Sequence, residues 1–211
     1  METVCFFIIA VISYLVGSLN FAIIVSKYRN DDVRNHGSKN AGLTNMLRTY
    51  GKHAAYLTFV GDFTKGILSI GVAKILCDLF SLSALSGVAG CFAMFFTIMG
   101  HMFPVYFSFK GGKGILSSAA CLLMIDYRVF LIIISIFLVL VITTRMVSLS
   151  SIVAAVAAGI SNAFFCFYDK KEYAVVQTVI IAIIAVSVIL KHRTNIVRIL
   201  NGTENKLSFK K

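Results

Sequence analysis

Long apolar blocks separated by short polar stretches make up most of this chain. A helix needs about 20 apolar residues to cross a bilayer. From Thr3 to Ser26 there is no Asp, Glu, Lys or Arg. That block is not a signal peptide, because its start lacks positive charge, it is too long, and no small-residue cleavage pattern follows. A second block, His53 to Leu79, is interrupted by Asp62, Lys65 and Lys74. A third lies between Asp78 and Lys110; it has no formal charge but holds His101 and Pro104. Gly114 to Ile125 is apolar yet only 12 residues long. Val129–Thr144, Met146–Tyr168 and Tyr173–Leu190 complete the series. The pattern predicts an all-α integral membrane protein of seven transmembrane helices, the fourth unusually short, as one polytopic domain over residues 1–211.

The loops orient that arrangement. Fifteen Lys and Arg residues fall on one side of it, Lys210 and Lys211 among them, against Arg128, Lys170 and Lys171 on the other. Cytoplasmic loops carry the excess of Lys and Arg. The N-terminus is therefore expected outside and the C-terminus in the cytoplasm, as an odd number of spans requires. The polar cytoplasmic segments are residues 29–52, 108–114 and the tail 191–211. No internal repeat suggests the duplicated halves of a transporter.

Composition narrows the chemistry. Hydrophobic residues make up 58% and charged residues 14%, against roughly 45–50% and about 25% in soluble domains. The formal charge of +11 suits an anionic partner such as membrane lipid headgroups or a phosphorylated substrate. Nucleic acid is not expected, since no helix-turn-helix, zinc-finger or RNA-binding signature is present. The five cysteines lie in or beside apolar blocks, without a C-x-x-C pair or zinc spacing. No metal, cofactor or obligatory protein partner is implied. There is no G-x-S-x-G elbow, and no His is followed five residues later by Asp, as in the other large class of membrane glycerolipid acyltransferases.

The polar residues that remain gather on the basic side. In FKGGKG, the glycines Gly111, Gly112 and Gly114 would let backbone N–H groups form an anion nest. Lys110 and Lys113 add charge there, and the following short helix adds its N-terminus. A basic turn facing lipid phosphates would read the same way. In GSKNAGLTN, Ser38, Asn40, Thr44 and Asn45 can bond phosphate or hydroxyl groups, and Gly37 and Gly42 permit close approach. Arg48 offers a bidentate grip; an ordinary capped polar loop is the alternative. Asp62 and Lys65 share a helical face within a span, as a structural ion pair or as support for a ligand-binding residue. His101 is a helix-end histidine or a further support. His192 and Asn195 share a face of a tail helix whose apolar stripe is Ile196, Ile199 and Leu200, and a polybasic lipid anchor is the alternative there.

In order and spacing, GSKNAGLTN with Arg48, DFTKG, GHMFPVYFSFKGGKG and HRTNIVRILNGTENK resemble the bacterial acyl-phosphate:glycerol-3-phosphate acyltransferases of the PlsY type. The resemblance runs from Gly17 to Lys206. It implies transfer of a fatty acyl group from acyl phosphate to the 1-hydroxyl of glycerol 3-phosphate, giving lysophosphatidic acid, in the cell membrane and without a metal. It implies a substrate-binding and catalytic set of Ser38, Arg48, Lys113, His192 and Asn195. Gly111, Gly112 and Gly114 match the family's loop, and Glu204 matches a tail acid. The chain departs from the family at Lys39, often Gly there, and at Asn20 and Ala22, often Pro and Gly. A permease or channel for organic phosphates is the competing class; it needs a polar path through the outer halves of the spans, which are apolar.

Overall fold

The computed structural model describes residues 1–207; Lys210 and Lys211 lie outside the described residues. Every regular element among the described residues is helical. The chain divides into two compact units, Met1–Ile125 and Asp126–Lys211.

In the first unit, α1 (Glu2–Ser18) and α2 (Phe21–Lys27) form a helix pair bent by 41°. The break is stabilised from both sides. The Asn20 side chain accepts from the Ile23 N–H at 3.1 Å and so caps α2. The Lys65 ammonium donates to the Leu19 carbonyl at 2.9 Å, and the Phe21 N–H donates to Asp62 Oδ1 at 3.4 Å. A cation at the end of one helix and an anion at the start of the next both oppose the local helix dipole. The long α3 (Leu43–Leu79) departs from helical geometry at Gly51, where φ is 82°. Pro104 enforces the end of α4 (Ser86–Met102), since the residue before a proline is pushed out of the helical region. The short α5 (Ile115–Ile125) lies along α3. Ser117 Oγ donates to the Asp62 carbonyl at 2.9 Å, and Cys121 Sγ lies 3.6 Å from the Gly66 carbonyl. The Lys74 ammonium donates to the Met124 carbonyl at 3.0 Å, at the end of α5.

The second unit holds α6 (Tyr127–Thr144), α7 (Val147–Tyr168), α8 (Ala174–Lys191) and the short α9 (Arg193–Leu200). Asp126 caps α6 by accepting from the Arg128 N–H at 3.1 Å, and it pairs with both the Arg128 and Lys171 side chains. Arg128 also pairs with Asp169 and lies over the Phe165 ring.

The expectation of seven transmembrane helices is not met. Among the described residues, four segments are long and apolar enough to cross a membrane: Ser83–Phe107, Tyr127–Thr144, Val147–Tyr168 and Ala174–Lys191. The bent pair α1–α2 makes a fifth if it is counted as one span. The two losses have physical causes. At 11 residues, α5 is about 16 Å long at 1.5 Å per residue, half of a roughly 30 Å hydrocarbon core. The length of α3 is ample, but Asp62, Lys65 and Lys74 within it lower its apolar character. The tail helix likewise does not continue the last span: the chain turns at His192 before α9 begins.

Candidate functional site

Asn45, buried in the first turns of α3, organises the first polar loop. Its Oδ1 accepts from the Ser38 N–H at 3.0 Å, while its Nδ2 donates to the carbonyls of Val33, His36 and Asn40 at 3.0 to 3.1 Å. Its whole amide is thus spent on holding residues 33–40 in a curl. Gly42 precedes the first turn of α3, Thr44 lies in that turn, and Arg48 follows one turn later on the same side, exposed. Within the curl Lys39 adopts φ 57°, a left-handed conformation costing a residue with a Cβ about 1–2 kcal/mol. That accounts for glycine at this place in the resembling family. Replacing Lys39 by Gly is expected to stabilise the protein by about 0.5–1 kcal/mol, since greater freedom of the unfolded chain offsets part of the relief. A thermal melt in detergent checks this, and an unchanged or lower Tm would count against the strain.

The glycine loop differs from a nest. The Gly111 N–H donates to the Met102 carbonyl at 3.3 Å and the Gly112 N–H to the His101 carbonyl at 3.1 Å. These amides satisfy carbonyls that α4 leaves unpaired where it stops, so they do not point into an open concavity. The first α-helical bond beyond the loop runs from the Ser118 N–H to the Gly114 carbonyl, which leaves the N–H groups just ahead of it outside the ladder. Gly112 is required for another reason: a Cβ there would overlap both the Ala41 carbonyl oxygen and His101 Nε2. The two loops therefore touch through bare backbone. Lys113 is half-buried beyond that contact, and Lys110 is exposed.

Arg34, which the sequence reading did not single out, joins the same two loops. Its guanidinium donates to the Phe107 and Lys110 carbonyls, both at 3.0 Å, and binds Asp32 bidentately, with a closest approach of 2.6 Å. The Arg34 bond, the largest influence on it, holds the Asp32 carboxyl below its ordinary range. An acid two residues ahead of an arginine was the visible signal. Asn20, noted only as a departure, is buried and donates to the Ala41 carbonyl at 3.4 Å. Beneath the loops, Asp62 and Lys65 form an ion pair at 2.6 Å with both side chains 2% exposed. Lys65 Nζ lies 2.8 Å from His101 Nδ1.

In the second unit, His192 and Asn195 are both buried. His192 Nδ1 lies 2.8 Å from the Val188 carbonyl, which fixes the ring against the end of α8. Asn195 Nδ2 donates to Glu204 Oε1 at 2.8 Å, Ser148 Oγ donates to the same oxygen at 2.9 Å, and Arg198 Nε donates to Oε2 at 2.9 Å. Burial, the largest single influence on Glu204, favours its neutral form, but these bonds together outweigh it and hold its pKa below the usual range. The Leu207 N–H donates to the Arg145 carbonyl at 2.8 Å, a further tie of the tail to its own unit. Ser148 was hidden in sequence by its apolar surroundings. Among the described residues no cluster of His, Cys, Asp or Glu could hold a metal ion.

Residues 7–202 match the family described as glycerol-3-phosphate acyltransferase. A glycerol-3-phosphate acyltransferase of Clostridioides difficile is 37% identical over 212 residues, covering 100% of each chain. One of Neisseria meningitidis serogroup B is 39% identical, covering 93% of this chain and 94% of its own. The crystal structure of PlsY (YgiH), an integral membrane glycerol 3-phosphate acyltransferase, in its glycerol 3-phosphate form superposes with a TM-score of 0.83 at 32% identity, covering 96% of both chains. Its lysophosphatidic acid form gives a TM-score of 0.80 at 31% identity, over 96% of this chain and 95% of that one.

Proposed function

This chain belongs to the glycerol-3-phosphate acyltransferase family and is a multi-pass membrane enzyme; from that premise we propose the course of its reaction. A fatty acyl phosphate donates its acyl group to the 1-hydroxyl of glycerol 3-phosphate. The hydroxyl oxygen bonds to the acyl carbon, the bond from that carbon to the phosphate oxygen breaks, and inorganic phosphate leaves. A substrate phosphate takes up the hydroxyl proton, so no protein base and no covalent enzyme intermediate are needed. Product and donor both carry long apolar chains, which suits a site at a membrane surface. The excess of Lys and Arg in the loops that build it supports a site facing the cytoplasm.

The observation that carries the reading is the contact of GSKNAG with FKGGKG, through Gly112 and the Arg34 clamp. It brings loops with Ser38, Arg48 and Lys113 into one unit, where two phosphorylated substrates need fixed donors and cations. Ser38 and Asn40 are assigned to substrate oxygens and Arg48 and Lys113 to phosphate charge; His192 and Asn195, in the second unit, are assigned to substrate binding on the family resemblance alone. Asn45, Gly42, Thr44, Gly111, Gly112 and Gly114 shape the loops, and Glu204 holds the tail.

The test is acyl transfer by purified protein, with acyl phosphate, acyl-CoA and acyl carrier protein offered separately. Turnover is expected with acyl phosphate and not with acyl-CoA, and phosphate is expected to be released only when glycerol 3-phosphate is present. Robust turnover on acyl-CoA alone would remove the donor assignment. Phosphate movement across vesicles without any acyl transfer would favour a permease.

A further inference from the structure

Two acids stand side by side ahead of the first polar loop, and they serve different neighbours. Asp32 holds Arg34, which reaches out to the glycine loop. Asp31 turns back onto its own segment. Its Oδ1 accepts from His36 Nε2 at 2.9 Å and from the Asp32 N–H at 2.7 Å, and its Oδ2 accepts from the Tyr50 hydroxyl at 2.8 Å. These donors hold the Asp31 carboxyl below its ordinary range, the His36 bond first and the Tyr50 bond next. An ionised carboxylate has no proton to give, so His36 Nε2 and the Tyr50 hydroxyl supply theirs. Burial, followed by the Asp31 bond, pushes the Tyr50 hydroxyl up to about 12, so it remains a donor. The Tyr50 ring packs against the buried cluster that includes Val33, Ala41 and Met46, with the His36 ring edge-on to it at 6.3 Å.

The places of the two side-chain donors matter. His36 lies two residues before Ser38, and its carbonyl is one of those that Asn45 holds. Tyr50 lies two residues after Arg48 and one before the break at Gly51. At that break φ is 82° and ψ is −172°, and a Cβ on Gly51 would meet nothing within 4 Å. Residues 43–50 therefore do not inherit their direction from the rest of α3 through a continuous helix, and no close neighbour wedges the break. We propose that Asp31 is a positioning residue: its one carboxylate latches His36 to Tyr50 and so sets the curl that carries Ser38 against the helical turns that carry Arg48. The latch deepens the proposed reaction and rests on Ser38 and Arg48 being substrate ligands there. Asn45 shapes the curl from within, whereas Asp31 joins its two flanks from outside.

Single bonds can be removed one at a time. Tyr50→Phe keeps the packed ring and loses only the hydroxyl. His36→Leu loses the ring donor, and His36→Gln restores a donor at about the reach of Nε2. A hydrogen bond of this kind favours the held arrangement by about three- to tenfold, and apparent affinity falls with the fraction of molecules left in it. Tyr50→Phe and His36→Leu are each expected to raise the KM and the dissociation constant for glycerol 3-phosphate by about three- to tenfold. Saturating substrate restores the arrangement, so kcat is expected to stay within about twofold of wild type. His36→Gln is expected to stay within about twofold in all three quantities. In the Asp31→Ala background, Tyr50→Phe is expected to add nothing, since its partner is already gone. Equal constants for wild type and Tyr50→Phe, equal losses for His36→Leu and His36→Gln, a fall in kcat with KM unchanged, or a full further loss in the double variant would each overturn the latch. The stated losses of affinity, measured by calorimetry on protein that transfers no acyl group from any donor, would leave the latch standing and remove the reaction. Wild-type protein that binds no glycerol 3-phosphate would remove both.

Discussion

Replacing Gly112 by alanine is expected to lower kcat/KM by about 5- to 150-fold, the equivalent of roughly 1–3 kcal/mol of overpacking. The added methyl meets two neighbours at once, the Ala41 carbonyl and the His101 ring. A carbonyl in a packed loop has no rotamer by which to yield, and the ring is fixed by Lys65. The loop must therefore lift, carrying Lys113 away from its working position and loosening the contact with GSKNAG. Gly159→Ala is the control. It lies within α7, and a Cβ there meets nothing within 4 Å, so alanine should be silent or slightly stabilising. Equal activities for the two variants, measured on folded protein, would show that the loop contact is not needed for turnover.

The second large effect is expected at Asn195. Asn195→Ala removes the bond to Glu204 that ties down the tail and, with it, the proposed contact to a charged substrate group; the loss of one such contact, roughly 1.5–3 kcal/mol, should lower activity by about 10- to 150-fold. Net charge is untouched, so a tail acting only as a polybasic anchor would not register the change. Arg193→Ala, at an exposed position in the same helix, removes one charge and should be nearly silent. The reverse order of these two variants would make the tail an anchor. Acid gives an independent reading. Because the Glu204 pKa is lowered in the folded protein, its contribution is present above the ordinary glutamate range and is lost as pH falls through that range towards the lowered value. Wild-type Tm should therefore decline on acidification more steeply than that of Glu204→Gln.

Long apolar blocks made the helices legible, because a stretch that tolerates no charge over 20 or so residues has few alternatives to a membrane helix. Counting such blocks did not give the number of spans. The count treats α3 and α5 as equals of α6, whereas Asp62, Lys65 and Lys74 inside the apolar stretch of the one and the 11-residue length of the other set them apart. The motif residues were legible by type, but their division of labour was not. Asn45 reads as a phosphate ligand until its four bonds to the backbone are known. FKGGKG reads as a nest until two of its amides are found bonded to α4. The Asp32–Arg34 pair was visible locally, but the contacts that give Arg34 and Ser148 their roles, to the Phe107 carbonyl and to Glu204, span 73 and 56 residues, and no local pattern encodes a contact at that range.

The short α5 has a consequence for how the chain is made. A helix half as long as the bilayer is thick gains too little from hydrocarbon to enter it alone, and its last carbonyls would reach apolar surroundings unpaired. The partners that α3 supplies are the carbonyls of Asp62 and Gly66, which accept from the Ser117 hydroxyl and the Cys121 thiol, and the Lys74 ammonium, which donates to the Met124 carbonyl. All three leave the ribosome before Ile115 does. The chain is thus ordered for synthesis, with the wall laid down first and the piece that cannot stand by itself arriving when its supports are already in place.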